Sequence, residues 1–193
     1  MTAGSLDIFI TKIYFVKLDT NLKLIRDYSF DLKKKTEGRK FTNVSGWQSN
    51  DLVNCPDYIE NLKNLATQHV NTYGKTMGIN RDIIIDNIWV NINDYKDSNK
   101  AHIHPYSVIS GVFYVQVPNQ SGNIQFINPY HDLMNYGLKG HVDKRGPVNS
   151  PLATFPPNEN MLLLFPSWLS HLVEPNMNKN EPRISISFNS RYI

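Results

Sequence analysis

The sequence predicts a mostly β fold of the jelly-roll or sandwich type, supported by two N-terminal helices, and three observations lead to it. First, residues 82–193 carry a succession of short apolar and β-branched runs, separated by Pro, Gly and Asn with no helical period between them. Consecutive strands without intervening helices imply antiparallel layers rather than βαβ units. Second, the first eighty residues contain two stretches with helical spacing of apolar residues. Third, 193 residues of which 40% are apolar supply one core. We therefore expect one domain over 1–193, with 1–80 as helical and strand support and 82–193 as the β core.

The elements follow in order. Residues 8–18, rich in Ile, Phe, Val and Tyr, read as a strand. Asp19, Thr20 and Asn21 offer capping side chains ahead of Leu22, Leu24, Ile25, Tyr28 and Phe30, a helix that Gly38 would close. A longer helix is predicted over 57–77, where Ile59, Leu62, Leu65, Ala66, Val70 and Tyr73 form one stripe; Pro56 suits its N1 position and Gly78 its end. Strands are predicted at 83–93, 107–117, 123–127, 152–155, 161–165 and 183–191. Between them, residues 128–150 form a long, glycine-rich segment with little pattern, which suggests a binding loop or lid.

Composition narrows the function. Twenty basic residues against 17 acidic give a net charge of +3. The Lys33-Lys34-Lys35 run with Arg39 and Lys40 reads as a solvated helix end, too small a patch for the phosphate backbone of nucleic acid. Cys55 is the single cysteine, so no intrachain disulfide can form. No apolar run approaches the ~20 residues of a membrane span, and residues 1–19 lack the apolar stretch of a signal peptide. These features predict a soluble, cytoplasmic protein with no nucleic-acid or membrane partner.

Chemistry concentrates in the histidines, of which there are six. His102 and His104 are two apart; on an extended chain both rings face one side while Ile103 faces the other. Paired imidazoles suit Fe(II), Zn or Mn, although His-x-His also occurs in loops that bind nothing. His171 lies between the apolar runs 161–165 and 172–173, where a polar ring needs a partner. A third ligand facing the first two explains that placement. His69 reads as structural or exposed; His131 and His141, in the long segment, could touch a substrate but read better as solvated. Twelve residues after His171, Arg183 opens a strictly alternating strand that places Arg183, Ser185 and Ser187 on one face and Ile184, Ile186 and Phe188 on the other. Inside a barrel, such an arginine calls for a carboxylate, with the serine hydroxyl adding a hydrogen bond; on a solvated sheet face it would need none.

This ordered set, His102-Ile103-His104, His171 and Arg183-Ile184-Ser185, resembles the Fe(II)- and 2-oxoglutarate-dependent dioxygenase superfamily. More narrowly, the stretches 104–115, 165–171 and 183–189, with Gly46-Trp47-Gln48-Ser49 and Ile88-Trp89-Val90-Asn91, are similar to a family of small 2-oxoglutarate oxygenases of bacteria and phages. The likeness spans residues 6 to 193. It implies a double-stranded β-helix (the cupin-like jelly-roll), Fe(II) as cofactor and 2-oxoglutarate as cosubstrate, with O2 and 2-oxoglutarate converted to CO2 and succinate as a small-molecule or peptide substrate is oxidised. By the same resemblance His102 and His171 are metal ligands, and Arg183, Ser185 and Tyr114 receive the distal carboxylate of 2-oxoglutarate; without it Tyr114 would be core packing. His104 departs from the pattern, since that position usually holds Asp or Glu. We take His104 as a ligand in a three-histidine face; the alternative is that it stands aside and water fills the position. Asp94 and Asp97 lie upstream as carboxylates able to orient a ring. Two other readings compete: a cupin-type three-histidine metalloenzyme that does not use 2-oxoglutarate, and a non-catalytic β-sandwich binding module.

Overall fold

The computed structural model describes residues 3–6, 8–138, 140–146 and 149–193. Two antiparallel sheets form its body. The larger has the order β1-β9-β6-β11-β4-β3, from strands Tyr14–Lys17 (β1), Trp47–Gln48 (β3), Ile83–Asn93 (β4), Ile109–Gln116 (β6), Met161–Pro166 (β9) and Arg183–Tyr192 (β11). The smaller has the order β2-β5-β10-β7-β8, from Asn43–Val44 (β2), Ser98–His102 (β5), Ile124–Ile127 (β7), Leu152–Phe155 (β8) and His171–Val173 (β10). The fold is the double-stranded β-helix that the resemblance implies.

Two helices cover the outer face of the larger sheet. Helix α1 (Leu22–Lys35) starts where the Asn21 side chain accepts from the Leu24 amide, and α2 (Asp57–Thr76) starts after Pro56. Pro56 is thus the cap rather than the first helical residue. The stripe Ile59, Leu62, Ala66, Val70 and Tyr73 is buried against Ile83, Ile85, Ile109, Phe113, Leu162, Leu164, Ile184, Ile186 and Phe188. Each of those large side chains contributes about 1.5–3 kcal/mol through burial. A second, smaller core between the sheets joins Val112, Tyr114, Ile124, Phe126, Met161, Leu163, Phe165 and Leu169. The alternation in β11 divides it between the two: Ile184, Ile186 and Phe188 face the helices, while Arg183, Ser185 and Ser187 line a cavity between the sheets.

Several expectations need correction. The strand predicted at 8–18 is limited to Tyr14–Lys17, because β9 supplies partners only for those residues; Ile8 and Ile10 remain exposed. His102 ends β5 and His104 follows outside any strand, so the two do not share one strand. The segment at 128–150 holds a short helix, α3 (His131–Leu138), with no buried residue. Lys139, Pro147 and Val148 of that segment lie outside the described residues. No helix among the described residues is long and apolar enough to cross a membrane.

Candidate metal centre and cosubstrate site

The three histidines meet at one end of the smaller sheet. His171 opens β10 and pairs across the ladder with His102 at the end of β5, so backbone register alone puts these rings side by side, with centroids 4.3 Å apart. His104 comes from the turn beyond β5, where its amide donates to the Ser167 carbonyl at 2.9 Å. Its ring lies 5.0 Å from His102 and 5.1 Å from His171, centroid to centroid. One nitrogen from each ring lies within 4.8 Å of the others.

The protonation state suits a metal. Burial pushes the His104 ring down to about 4 and His171 to about 3, with His102 adding to both shifts; burial also lowers His102 itself. All three are therefore neutral near pH 7. Nδ1 of His102 meets the Lys100 carbonyl at 2.7 Å and Nδ1 of His171 meets the Leu169 carbonyl at 2.9 Å. A carbonyl only accepts, so Nδ1 carries the proton and the Nε2 lone pair is left free to bind a cation. These orienting groups are main-chain carbonyls rather than the carboxylates expected: Asp94 pairs with Lys33 at 2.7 Å, and Asp97 accepts from the Asp94 amide at 2.7 Å. His104 makes no side-chain hydrogen bond among the described residues; Trp89 flanks it at 6.2 Å, while Phe165 and Phe126 pack on His171 at 4.6 and 6.2 Å.

A cavity of about 290 Å³ opens from this triad between the sheets, and Arg183, Ser185 and Tyr114 all line it. Arg183 is 2% exposed, an unusual place for a guanidinium without a carboxylate partner. Its Nη1 donates to the Ser121 carbonyl, and to those of Gly122 and Glu174 at 3.4 and 3.3 Å. Nη2 is buried and has no partner among the described residues. Burial lowers the Arg183 pKa, opposed by Tyr114, Asp97 and Glu174, yet a guanidinium stays charged. Tyr114 is pushed up to about 12 by burial, so its phenol keeps a proton to donate. Across the larger sheet, Ser185 stands between Tyr114 and Asn91, which puts hydroxyl and amide groups in one row beside the guanidinium. Gly122 makes the arginine seat feasible. Its φ is +80°, and an added Cβ would lie 2.6 Å from the Glu174 carbonyl oxygen.

Other sequence readings resolve here. His69 accepts or donates through Nδ1 to the Tyr14 hydroxyl at 2.8 Å on the helix side of the sheet, a structural role. His131 sits on α3 beside Asp132 at 3.1 Å, and His141 is exposed. Arg39 corrects the view of a solvated helix end: it lines the cavity. No spacing rule marks it, because its neighbours Phe41, Asp51 and Trp89 come from three separate segments.

Fold and side-chain set together define a jelly-roll protein built around a candidate mononuclear metal site with a buried guanidinium in the same cavity. The chain belongs to the 2OG-Fe(II) oxygenase family: the family model described as "Putative 2OG-Fe(II) oxygenase" matches residues 87–189, more than half of its length. Fe(II) and 2-oxoglutarate are the cofactor and cosubstrate of that family. No curated protein matches the chain by sequence. Among solved structures, a Pseudomonas putida prolyl-4-hydroxylase is similar with a TM-score of 0.63 at 12% identity, covering 95% of this chain and 94% of its own. The alpha-ketoglutarate-dependent epimerase SnoN from nogalamycin biosynthesis has a TM-score of 0.69 at 15% identity, covering 94% and 79%. HygX from Streptomyces hygroscopicus, solved with nickel and 2-oxoglutarate, has a TM-score of 0.63 at 8% identity, covering 93% and 82%. At such identities the likeness speaks for the fold.

Proposed function

We propose that this protein is an Fe(II)- and 2-oxoglutarate-dependent oxygenase that holds iron on His102, His104 and His171. The observation that carries the reading is the buried Nη2 of Arg183, without a partner among the described residues, in the same cavity as three neutral, convergent imidazoles. A metal site alone would fit many chemistries; a metal site facing a buried cation fits a dianionic cosubstrate that bridges the two. Bound iron would supply the oxygen activation that couples decarboxylation of 2-oxoglutarate to oxidation of the substrate.

The chain's own residues have positional tasks. The Lys100 and Leu169 carbonyls fix two rings with Nε2 inward. Arg183 receives the distal carboxylate of 2-oxoglutarate through Nη2, while its Nη1 stays tied to main-chain carbonyls. Ser185 and the protonated Tyr114 phenol add donors to the same carboxylate. Trp89, Phe126 and Phe165 pack beside the imidazoles and exclude water from that side. Similar structures include one named for a prolyl-4-hydroxylase and one for an epimerase of nogalamycin biosynthesis, in keeping with a peptide or small-molecule substrate.

His171→Ala tests the assignment: it should abolish iron-dependent succinate formation, and full turnover in that variant would refute it. His104 favours a second reading, a three-histidine metalloenzyme without 2-oxoglutarate. That reading predicts a metal whose spectrum ignores added 2-oxoglutarate.

A further inference from the structure

Arg39 is a second guanidinium in the cavity, and the proposed iron and 2-oxoglutarate do not use it. Its central carbon lies 5.1 Å from the centroid of the Phe41 ring and 5.7 Å from that of Trp89, the indole that flanks His104. Contact with two aromatic faces restrains the guanidinium in the cavity wall, one ring away from the metal site. Among the described residues its single ion pair is Nη2 to Asp51 at 2.6 Å, and Nε is buried without a partner. Nη1 makes no hydrogen bond among those residues either.

Charge in the cavity is one-sided. Among the described residues, the lining holds Arg39, Arg183 and the three histidines, and no aspartate or glutamate; Asp51 is outside it. The remaining polar groups are amides and hydroxyls, Gln48 and Asn91 among them. Three neutral imidazoles would leave the full +2 of a divalent ion uncompensated, where a carboxylate ligand would have removed one unit. A dianionic cosubstrate offsets the ion and Arg183 leaves one positive charge, while Arg39, its charge shared with Asp51, keeps Nε and Nη1 donors that have no acceptor among the described residues. A low-dielectric cleft of one sign concentrates counter-charged ligands and rejects cations.

We propose that Arg39, stacked on Phe41 and Trp89, docks an oxyanion of the primary substrate, a carboxylate or phosphate, so that the enzyme oxidises anionic small molecules. This rests on the oxygenase reading for the position of the reacting centre. A planar guanidinium with free N–H groups binds either oxyanion through paired hydrogen bonds, which a neutral amide head cannot match.

Hexanoate, hexyl phosphate and hexanamide share a chain and differ in the head group, so they serve as probes. Each is titrated by calorimetry into Co(II)-loaded protein, with and without saturating 2-oxoglutarate. At least one oxyanion should bind about tenfold more tightly than hexanamide. Arg39→Gln should erase that preference and leave 2-oxoglutarate affinity unchanged, and Arg39→Lys should retain part of it. Which of the two oxyanions binds better identifies the head group. Equal binding of all three probes, or a preference that survives Arg39→Gln, overturns the proposal. Failure of the oxygenase reading appears separately, as absence of 2-oxoglutarate binding before any probe is added. The oxyanion preference without 2-oxoglutarate, and its dependence on Arg39, then still decides this proposal.

Discussion

Replacing Arg183 with glutamine removes a buried cation from the cavity that the triad lines and separates two consequences. In the wild type, Nη1 is committed to the carbonyls of Ser121, Gly122 and Glu174, whereas Nη2 has no partner among the described residues. Binding of 2-oxoglutarate would therefore use Nη2, with Ser185 and Tyr114 beside it. A hydrogen bond between charged groups contributes about 1.5–3 kcal/mol, and each 1.4 kcal/mol is a factor of ten. Loss of that contact should weaken 2-oxoglutarate by roughly ten- to a hundredfold. Metal affinity should hold, since two of the imidazoles keep their own carbonyl partners. The main-chain carbonyls left short of a donor should lower stability by about 1–3 kcal/mol. Arg183→Lys, which keeps the charge but not the planar fork, should fall between on both counts. Calorimetry of 2-oxoglutarate on Co(II)-loaded protein, alongside urea denaturation, reads the two effects. A folded glutamine variant that binds 2-oxoglutarate within threefold of wild type would refute the assignment.

Two further outcomes follow from the same coordinates. His104 and His171 have folded-state pKa values of about 4 and about 3, below the ~6.5 of an unfolded chain. Below pH 6.5 the unfolded chain takes up protons that the folded one refuses, so stability falls as pH falls. From pH 7.5 to 5.5 the loss should be up to roughly 3 kcal/mol for the two rings in metal-free protein, read as a lower urea midpoint; an unchanged or higher midpoint would contradict the buried neutral pair. Gly111 packs against Leu164 and the Phe188 ring, and an added Cβ would lie 2.7 Å from Leu164 Cδ2. Gly111→Ala should cost about 1–3 kcal/mol of stability by overpacking, with metal stoichiometry intact; an unaltered midpoint would show that the core yields at that point.

What the sequence made legible follows physical range. The alternation in 183–189 is a local pattern, and its two faces fall where the pattern puts them, Ile184 and Ile186 toward the helices and Arg183 and Ser185 toward the cavity. The stripe of α2 is legible for the same reason. Residues 98–102, Ser-Asn-Lys-Ala-His, have no apolar period at all; they are a strand because β10 and β2 flank them. Conversely, residues 8–13 have strand propensity and no partner strand among the described residues, and propensity without pairing does not make a strand. In the site, His102, His104 and His171 were legible by spacing and by context. The main-chain carbonyls that orient two of the rings lie only two residues from each histidine, but any residue type supplies a carbonyl, so no pattern marks them; the seat that Gly122 makes for Arg183 and the approach of Trp89 to Arg39 join segments far apart in sequence.

The central claim is that one cavity holds both an iron ion and 2-oxoglutarate. One anaerobic sample tests it most directly: metal-free protein is titrated first with Fe(II) and then with 2-oxoglutarate while the visible spectrum is followed. One iron per chain is expected, with a new visible absorption that grows with 2-oxoglutarate to one equivalent. Protein that takes up no iron, or iron whose spectrum is indifferent to 2-oxoglutarate, would contradict it.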